Sequence, residues 1–138
     1  MAKSNKITRY ADEVISILKE KGFVIQRHDL YEDDLSKDKA VYLRLDYGVA
    51  GTIRICSKKG KEYVNHQYNI ILNQKHSRFI IRSENVSGEP RDLGEMIDWI
   101  IKERKDIYKR YGKYRYGYFV KKYKKLLRKE SVDYELVN

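Results

Sequence analysis

The sequence predicts a two-layer α+β domain with an N-terminal helix, an antiparallel four- or five-stranded meander, and one long kinked or two C-terminal helices. Apolar residues repeat every three to four positions at both ends of the chain, as on the buried face of a helix. Between Phe23 and Ser83 they recur at every second position, as on one face of a strand. No helix-length segment separates these strands, so we expect them to be antiparallel and covered on their apolar face by the helices.

The first helix is predicted from Lys6 to Lys21. Its apolar stripe lies at helical spacing and consists of Ile7, Tyr10, Ala11, Val14 and Leu18. Gly22 followed by Phe23 is typical of a helix that ends in a left-handed residue and its hydrophobic contact.

The register of the sheet is predicted from the positions of the turns. A four-residue loop at Lys58–Lys61 would place Ile53 opposite His66. The next hairpin would place Ile70 opposite Ile81. Both hairpins then bring their apolar residues to one face, and a slip of one residue would invert every side chain. His66 is therefore expected on the buried face.

The C-terminal helical region is predicted from a capping signal and a second apolar stripe. Asp92 and Glu95 resemble a capping box that opens the helix. Gly112 and Gly117 bracket a break or a kink in the helical pattern. Of the tyrosines in this region, Tyr108, Tyr111 and Tyr123 are expected in the core. Tyr114, Tyr116 and Tyr118 flank the glycines and are expected to be exposed.

Positive charge is concentrated in residues 102–129. This segment holds 13 Lys/Arg against only Glu103 and Asp106, a net +11 in a chain whose total is +10, so the remainder sums to −1. It also contains six of the 13 tyrosines. Charge of one sign in an aromatic-rich block indicates a surface for a polyanion, most often nucleic acid. We thus expect one domain, 1–138, with 92–129 a basic, Tyr-rich helical segment and 130–138 a mobile tail.

The predicted function is that of a non-enzymatic nucleic-acid-binding module. Phosphate contacts would come from the basic residues of this segment: Lys109, Arg110, Lys113, Arg115, Lys121, Lys122, Lys124, Lys125 and Arg128. Each such contact would release counterions from the nucleic acid. Tyr114 and Tyr118 would stack on bases. The pattern does not distinguish DNA from RNA, single from double strands, or a monomer from an oligomer.

A second candidate surface lies on the polar face of the sheet. Its residues are Tyr42, Arg44, Arg54 and Arg82. Arg beside Tyr on a pleated face provides stacking groups and a fork for phosphate. The polar face that any half-buried antiparallel sheet presents to water accounts for the same residues.

Two alternative functions are left open by the sequence. The first is a small phage or mobile-element inhibitor, for example of anti-CRISPR type, that binds a nucleic-acid-processing protein or ribonucleoprotein. The second is an enzyme that uses Asp46, Arg54 and Glu62 on the sheet. We expect that the protein is not an enzyme, because the sequence shows no nucleophile–base pair and no paired carboxylates.

Cofactors, metals and membranes are not expected as partners. Cys56 is the single cysteine, which excludes an intramolecular disulfide and favours a reducing, cytoplasmic location. His28, His66 and His76 are scattered, unlike the four clustered ligands of a zinc site. No apolar run approaches the roughly 18 residues that a transmembrane helix needs.

Overall fold

The computed structural model describes residues 2–33, 38–57, 64–70, 84–127 and 134–137. The elements in these ranges are, in chain order, α1 (Ala2–Glu20), β1 (Ile25–Asp33), β2 (Asp38–Leu45), β3 (Thr52–Ser57), β4 (Val64–Ile70), β5 (Glu84–Gly88), α2 (Leu93–Tyr111), α3 (Lys113–Leu127) and β6 (Glu135–Val137). The strands form one antiparallel sheet in the order β5-β4-β3-β2-β1-β6. The α+β class, the N-terminal helix, the antiparallel meander and the C-terminal helices are thus confirmed.

The sixth strand corrects the expectation of a mobile tail over 130–138. Glu135–Val137 pairs antiparallel with β1, with Ile25 opposite Val137 and Arg27 opposite Glu135. Val137 also packs against the main core. A strand of three residues is too short for its alternation to be recognised in a sequence, and its pairing depends on a segment more than a hundred positions away.

One face of the sheet carries the main hydrophobic core. Helices α1 and α2 both cover this face, because each presents an apolar stripe to the inward residues of the strands. The fully buried strand residues include Ile25, Leu43, Leu45, Ile53 and Ile55, and those of the helices include Ala11, Val14, Leu18, Met96 and Ile100. The stripe predicted for the first helix is therefore confirmed as buried.

Helix α1 ends as the sequence predicted. Gly22 has φ +84° and donates its N–H to the carbonyl of Lys19 at 3.0 Å. The N–H of Phe23 reaches back to the carbonyl of Leu18 at 3.1 Å. These two hydrogen bonds are the Schellman pair, and they satisfy carbonyls that the helix end would leave unpaired.

The register of the β3–β4 pair differs from the prediction by two residues. His66 lies opposite Ile55 instead of Ile53, because β3 continues to Ser57, which pairs with Val64. The connection is therefore longer than the four residues assumed, and it lies outside the described residues. Side chains alternate with a period of two, so an even shift preserves the buried face. His66 is accordingly on the inner face, as expected.

The predicted pairing after β4 is wrong where the structure describes it. Ile70 lies opposite Glu84, at the start of β5, and not opposite Ile81. Residues 71–83, which include Ile81, lie outside the described part of the chain. The alternation of this stretch predicted a hairpin with Ile70 opposite Ile81, whereas the described part of β4 pairs with Glu84–Gly88.

The capping box before α2 lies three residues earlier than predicted. Its partners are Glu89 and Asp92, which flank a 3₁₀ turn at Pro90–Asp92. The N–H of Glu89 donates to the carboxylate of Asp92 at 2.9 Å. Asp92 is thus the second member of the box, and Glu95 is not its partner. Proline fits the first position of such a turn because it has no N–H to satisfy.

His66 is a core histidine that contacts α1. Its ring is fully buried, and Nδ1 lies 2.6 Å from the hydroxyl of Tyr10. Burial lowers the pKa of His66, and the carboxylates of Asp92 and Glu95 offset this effect only in part. Burial also raises the pKa of Tyr10, so its hydroxyl stays protonated. The native state therefore favours the neutral imidazole.

We predict that acidification destabilises the protein through His66. The unfolded chain binds a proton near the ordinary histidine pKa, whereas the folded chain resists it, so the free energy of unfolding falls as the pH drops below about 6.5. The slope from this group is at most about 1.4 kcal/mol per pH unit. Urea unfolding between pH about 7.5 and about 5.5 measures it.

The variant His66→Gln should lose this part of the pH dependence, whereas His28→Asn, on the other face of the sheet, should keep it. Equal pH slopes for the wild type and His66→Gln would contradict the assignment.

Candidate nucleic-acid interface

Helix α3 is separated from α2 by a single glycine. Gly112 donates the last helical hydrogen bond of α2, to the carbonyl of Tyr108 at 2.7 Å, and its φ of +87° ends the helix. A positive φ is accessible to glycine without the steric cost that a side chain brings. The helix then continues through Gly117, so the predicted break occurs at the first of the two glycines.

The inner side of α3 packs on a second hydrophobic cluster, distinct from the main core. Tyr116, Phe119 and Tyr123 are buried there against Val49, from the β2–β3 connection, and Ile107, from α2. Their spacing of three and four residues places them on one side of the helix. The opposite side of α3 is therefore turned to solvent.

The tyrosines predicted as core residues do belong to this second cluster. Tyr123 is buried, and Tyr108 and Tyr111 pack against the cluster at its edge. Tyr116 corrects the prediction, since only 5% of it is exposed and its ring meets that of Tyr108 edge to face at 4.6 Å. Its neighbour Gly117 suggested an exposed turn, but the helix is continuous and its period turns Tyr116 inward.

A buried carboxylate anchors α3 to the rest of the domain. Asp46 is only 5% exposed and accepts hydrogen bonds from the hydroxyl of Tyr116 at 2.5 Å and from the N–H of Val24 at 3.0 Å. Burial, the Asp46 carboxylate and the hydrogen bond to it all raise the pKa of Tyr116. The Tyr116 hydroxyl is thus held as a donor, and a charge-assisted hydrogen bond joins α3 to the end of β2.

Arg104 joins α2 to the same carboxylate. Its Nη1 lies 3.6 Å from Oδ2 of Asp46, and Nη2 donates to the carbonyl of Lys21 at 2.9 Å. The guanidinium also stacks on the ring of Phe23, 3.6 Å from its centroid. This arginine belongs to the basic segment, but its contacts are inside the molecule.

The outer side of α3 carries a stripe of tyrosine and lysine, which we call the α3 stripe: Tyr114, Tyr118, Lys121 and Lys125. Steps of four, three and four residues place them along one side of the helix. Tyr114 is 92% exposed and Tyr118 is 58% exposed, and both lysines are exposed. The stripe lies on the side opposite the buried aromatic residues.

A depression of about 400 Å³ lies along the second half of α3. The described residues that line it are Tyr118, Lys121, Lys122, Lys124 and Lys125. The four lysines that line it place four positive charges on one part of the helix, which attracts an anionic chain. This is the part of the predicted site that the structure brings together.

The lysines of this depression are not neutralised by any residue that the structure describes. In the ranges that the structure describes, no ion pair involves a Lys or Arg of α3. Lys113 and Lys124 lie 5.9 and 5.7 Å from the ring centroids of Tyr108 and Tyr47, contacts that leave the charge in place. The positive charge of α3 is thus available to a partner.

The other predicted phosphate contacts lie around the α2–α3 junction. Lys109 and Arg110 are exposed in the last turn of α2, and Lys113 and Arg115 are exposed in the first turn of α3. None of these four lines the depression. Arg128 lies outside the described residues.

The predicted sheet surface is assembled, but its arginines are engaged within the molecule. Nε of Arg54 donates to the hydroxyl of Tyr42 at 3.1 Å. The guanidinium of Arg44 lies 3.7 Å from the centroid of the Tyr134 ring. Arg82 lies outside the described residues, as does the pairing expected around it.

Two aromatic residues of this surface were missed by the sequence analysis. His28 packs against Tyr134, with ring centroids 5.2 Å apart, and lies 6.3 Å from the ring of Tyr42. Tyr134 lies in the predicted tail, and His28 is one of the scattered histidines that do not match a zinc site. Alternation in β1 places His28 on the polar face and is the signal that identifies it.

Two of the side chains proposed for catalysis, Asp46 and Arg54, make contacts in different parts of the described structure. Asp46 points into the protein at Tyr116 and Arg104, Arg54 binds Tyr42 on the sheet, and Glu62 lies outside the described residues. Among the residues that are described, no three His, Cys, Asp or Glu side chains come together as metal ligands would. The helices within the same ranges are too short or too polar to cross a bilayer.

We predict that Tyr116→Phe lowers the free energy of unfolding by about 1.5–3 kcal/mol, because a buried carboxylate loses a charge-assisted hydrogen bond. Tyr114→Phe removes a hydroxyl from the same helix at an exposed position and should change stability by less than about 0.5 kcal/mol. In an Asp46→Asn background the effect of Tyr116→Phe should shrink. Urea unfolding of the wild type and these four variants, including the double variant Asp46→Asn/Tyr116→Phe, measures the coupling between Tyr116 and Asp46. Equal losses of stability from Tyr116→Phe and Tyr114→Phe would contradict the assigned hydrogen bond.

Comparison with known proteins adds no functional assignment. Neither family models nor curated proteins match this sequence, and no solved structure matches the fold.

Proposed function

We propose that the protein binds nucleic acid, without catalysis, through the exposed side of α3. The observation that carries the proposal is the cluster of lysines around the α3 depression, Lys121, Lys122, Lys124 and Lys125, none of which forms an ion pair with a described residue. Helix α3 contains six Lys/Arg and no Asp or Glu. An ordinary solvated helix face mixes both signs of charge, so a surface of one sign supports a polyanionic partner.

The rigid attachment of α3 supports the proposal further. The Tyr116–Asp46 hydrogen bond and the second hydrophobic cluster fix one side of the helix on the domain. The lysines of the opposite side therefore start from a fixed backbone, and binding has to order only their side chains. Preorganisation of this kind reduces the entropic cost of association.

Nucleic acid explains this surface better than the alternative of an inhibitor that occupies an acidic protein groove. Both partners would satisfy the lysines, but the exposed rings of Tyr114 and Tyr118 match the flat faces of bases. Capture of a host protein that survives nuclease treatment, together with no binding to free oligonucleotides, would favour the inhibitor instead.

We predict that Lys121→Glu/Lys125→Glu weakens binding to labelled oligonucleotides by at least about tenfold at about 50 mM salt. The slope of log affinity against log salt should become shallower by about two, because two phosphate contacts are lost. Fluorescence polarisation over a salt series measures both effects.

The matched control is Lys19→Glu/Lys21→Glu at the end of α1. It makes the same change in net charge, from +10 to +6, since each Lys→Glu substitution removes two charges. Both control residues are exposed. Equal losses in the two double variants would show that only net charge matters, and a wild-type protein that binds no oligonucleotide at low salt would refute the proposal.

A further inference from the structure

We infer that the α3 stripe is a site for unpaired nucleotides, in which Tyr114 and Tyr118 stack on bases while Lys121 and Lys125 hold the adjoining phosphates. This inference rests on the proposed function and specifies its ligand. The six tyrosines of residues 102–129 fall into two groups. Four belong to the second hydrophobic cluster, and the remaining two project from the other side of α3.

The exposure of these two rings is not a requirement of the fold. Tyr114 is 92% exposed and makes no ring contact with any described residue. Tyr118 is 58% exposed and only meets the edge of Phe119, at 5.8 Å between centroids. A large aromatic group turned to water loses the free energy that burial would provide. The Tyr118–Phe119 edge contact is thus the one ring contact that either tyrosine makes with a described residue.

The two rings are spaced for a shared ligand. Residues four apart on a helix have Cβ atoms roughly 5–6 Å from each other on the same side. Tyr114 and Tyr118 thus stand side by side, and Lys121 and Lys125 continue the same line by the next two turns. A single-stranded nucleic acid that runs along α3 would place its bases against the two tyrosine rings and its next phosphates against the two lysines.

A duplex gains little from this arrangement. Its base faces are covered by their neighbours, and inserting a ring between base pairs costs a few kcal/mol of unstacking at each step. The lysines would contact duplex phosphates equally well, but the two rings would remain unused. Unpaired bases have free faces, and base–aromatic stacking is the usual means by which proteins hold single strands of any sequence. The α3 stripe accordingly favours single-stranded DNA or RNA over a duplex.

The test compares three labelled ligands of about 15 nucleotides, a length within the usual site size: single-stranded DNA, single-stranded RNA and duplex DNA. Fluorescence polarisation at one salt concentration gives the three dissociation constants. We expect both single strands to bind at least about tenfold more tightly than the duplex, and the ratio of the two single strands reports the sugar preference.

The decisive variant is Tyr114→Ser/Tyr118→Ser. Since each stacked base changes the dissociation constant by about fivefold or more, the double variant should weaken single-strand binding at least about 20-fold. The dissociation constant for duplex DNA should stay within about twofold of the wild-type value. The slope of log affinity against log salt should also stay within about twofold of the wild-type slope. Because both residues are exposed, the variant should remain folded, which its thermal melt verifies.

Two controls separate the possible causes. Tyr114→Phe/Tyr118→Phe keeps the rings and should restore single-strand binding, which a role for the hydroxyl groups would not allow. Lys121→Glu/Lys125→Glu should weaken single strands and duplex alike. If the wild type binds duplex as tightly as single strands, or if the serine variant binds like wild type, this inference fails while the proposed function stands. If no ligand binds at low salt, the proposed function itself fails.

Discussion

The position of the basic helix depends on one buried carboxylate. Asp46 accepts hydrogen bonds from the N–H of Val24 and the hydroxyl of Tyr116, and it forms an ion pair with the guanidinium of Arg104. These three partners come from the α1–β1 connection, α3 and α2, so a single side chain ties both C-terminal helices to the sheet. A buried carboxylate is tolerated only when hydrogen bonds and a counter-charge replace its water. Removing any one partner would leave the carboxylate short of a hydrogen bond or of its counter-charge and would weaken this attachment.

The backbone at Asp46 and Tyr47 also contributes to the attachment of α3. Asp46 and Tyr47 both have positive φ values, 50° and 60°, which are uncommon for residues with side chains. The turn directs the carboxylate inward to Tyr116 and places Tyr47 at the edge of the second hydrophobic cluster. Left-handed residues persist only where the surrounding contacts determine them. Here the contacts are those that attach α3.

Basic and aromatic residues serve two purposes in this protein, and their contacts separate the two. Arg104, Arg44 and Arg54 each contact an aromatic ring or a tyrosine hydroxyl within the molecule. The lysines and the two protruding tyrosines of the α3 stripe do not contribute to either hydrophobic cluster. The sheet surface, although it contains the Arg and Tyr that nucleic-acid-binding sheets use, therefore supports ligand binding less strongly than α3 does.

The sequence by itself determined the features that depend on neighbouring residues. Periodicity predicted α1 and the buried face of the sheet, and Gly22 with Phe23 predicted how the helix ends. Even a wrong loop length left His66 on the inner face, because the alternation of strands tolerates a shift of two. Charge segregation into residues 102–129 is likewise a property of the sequence alone.

Only the tertiary structure decided which distant partners those residues meet. Tyr116 is buried because it meets Asp46, 70 positions away, and Arg104 reaches the carbonyl of Lys21, 83 positions away. Strand β6 forms because β1 offers it a free edge. Local pattern carries no information about such distant partners, since their pairing is selected by the packing of whole elements. Among the tyrosines of α3, the exposure of Tyr114 and Tyr118 and the burial of Tyr123 agree with the sequence prediction, and only Tyr116 differs. Spacing defines the sides of a helix, and packing selects the side that stays in water.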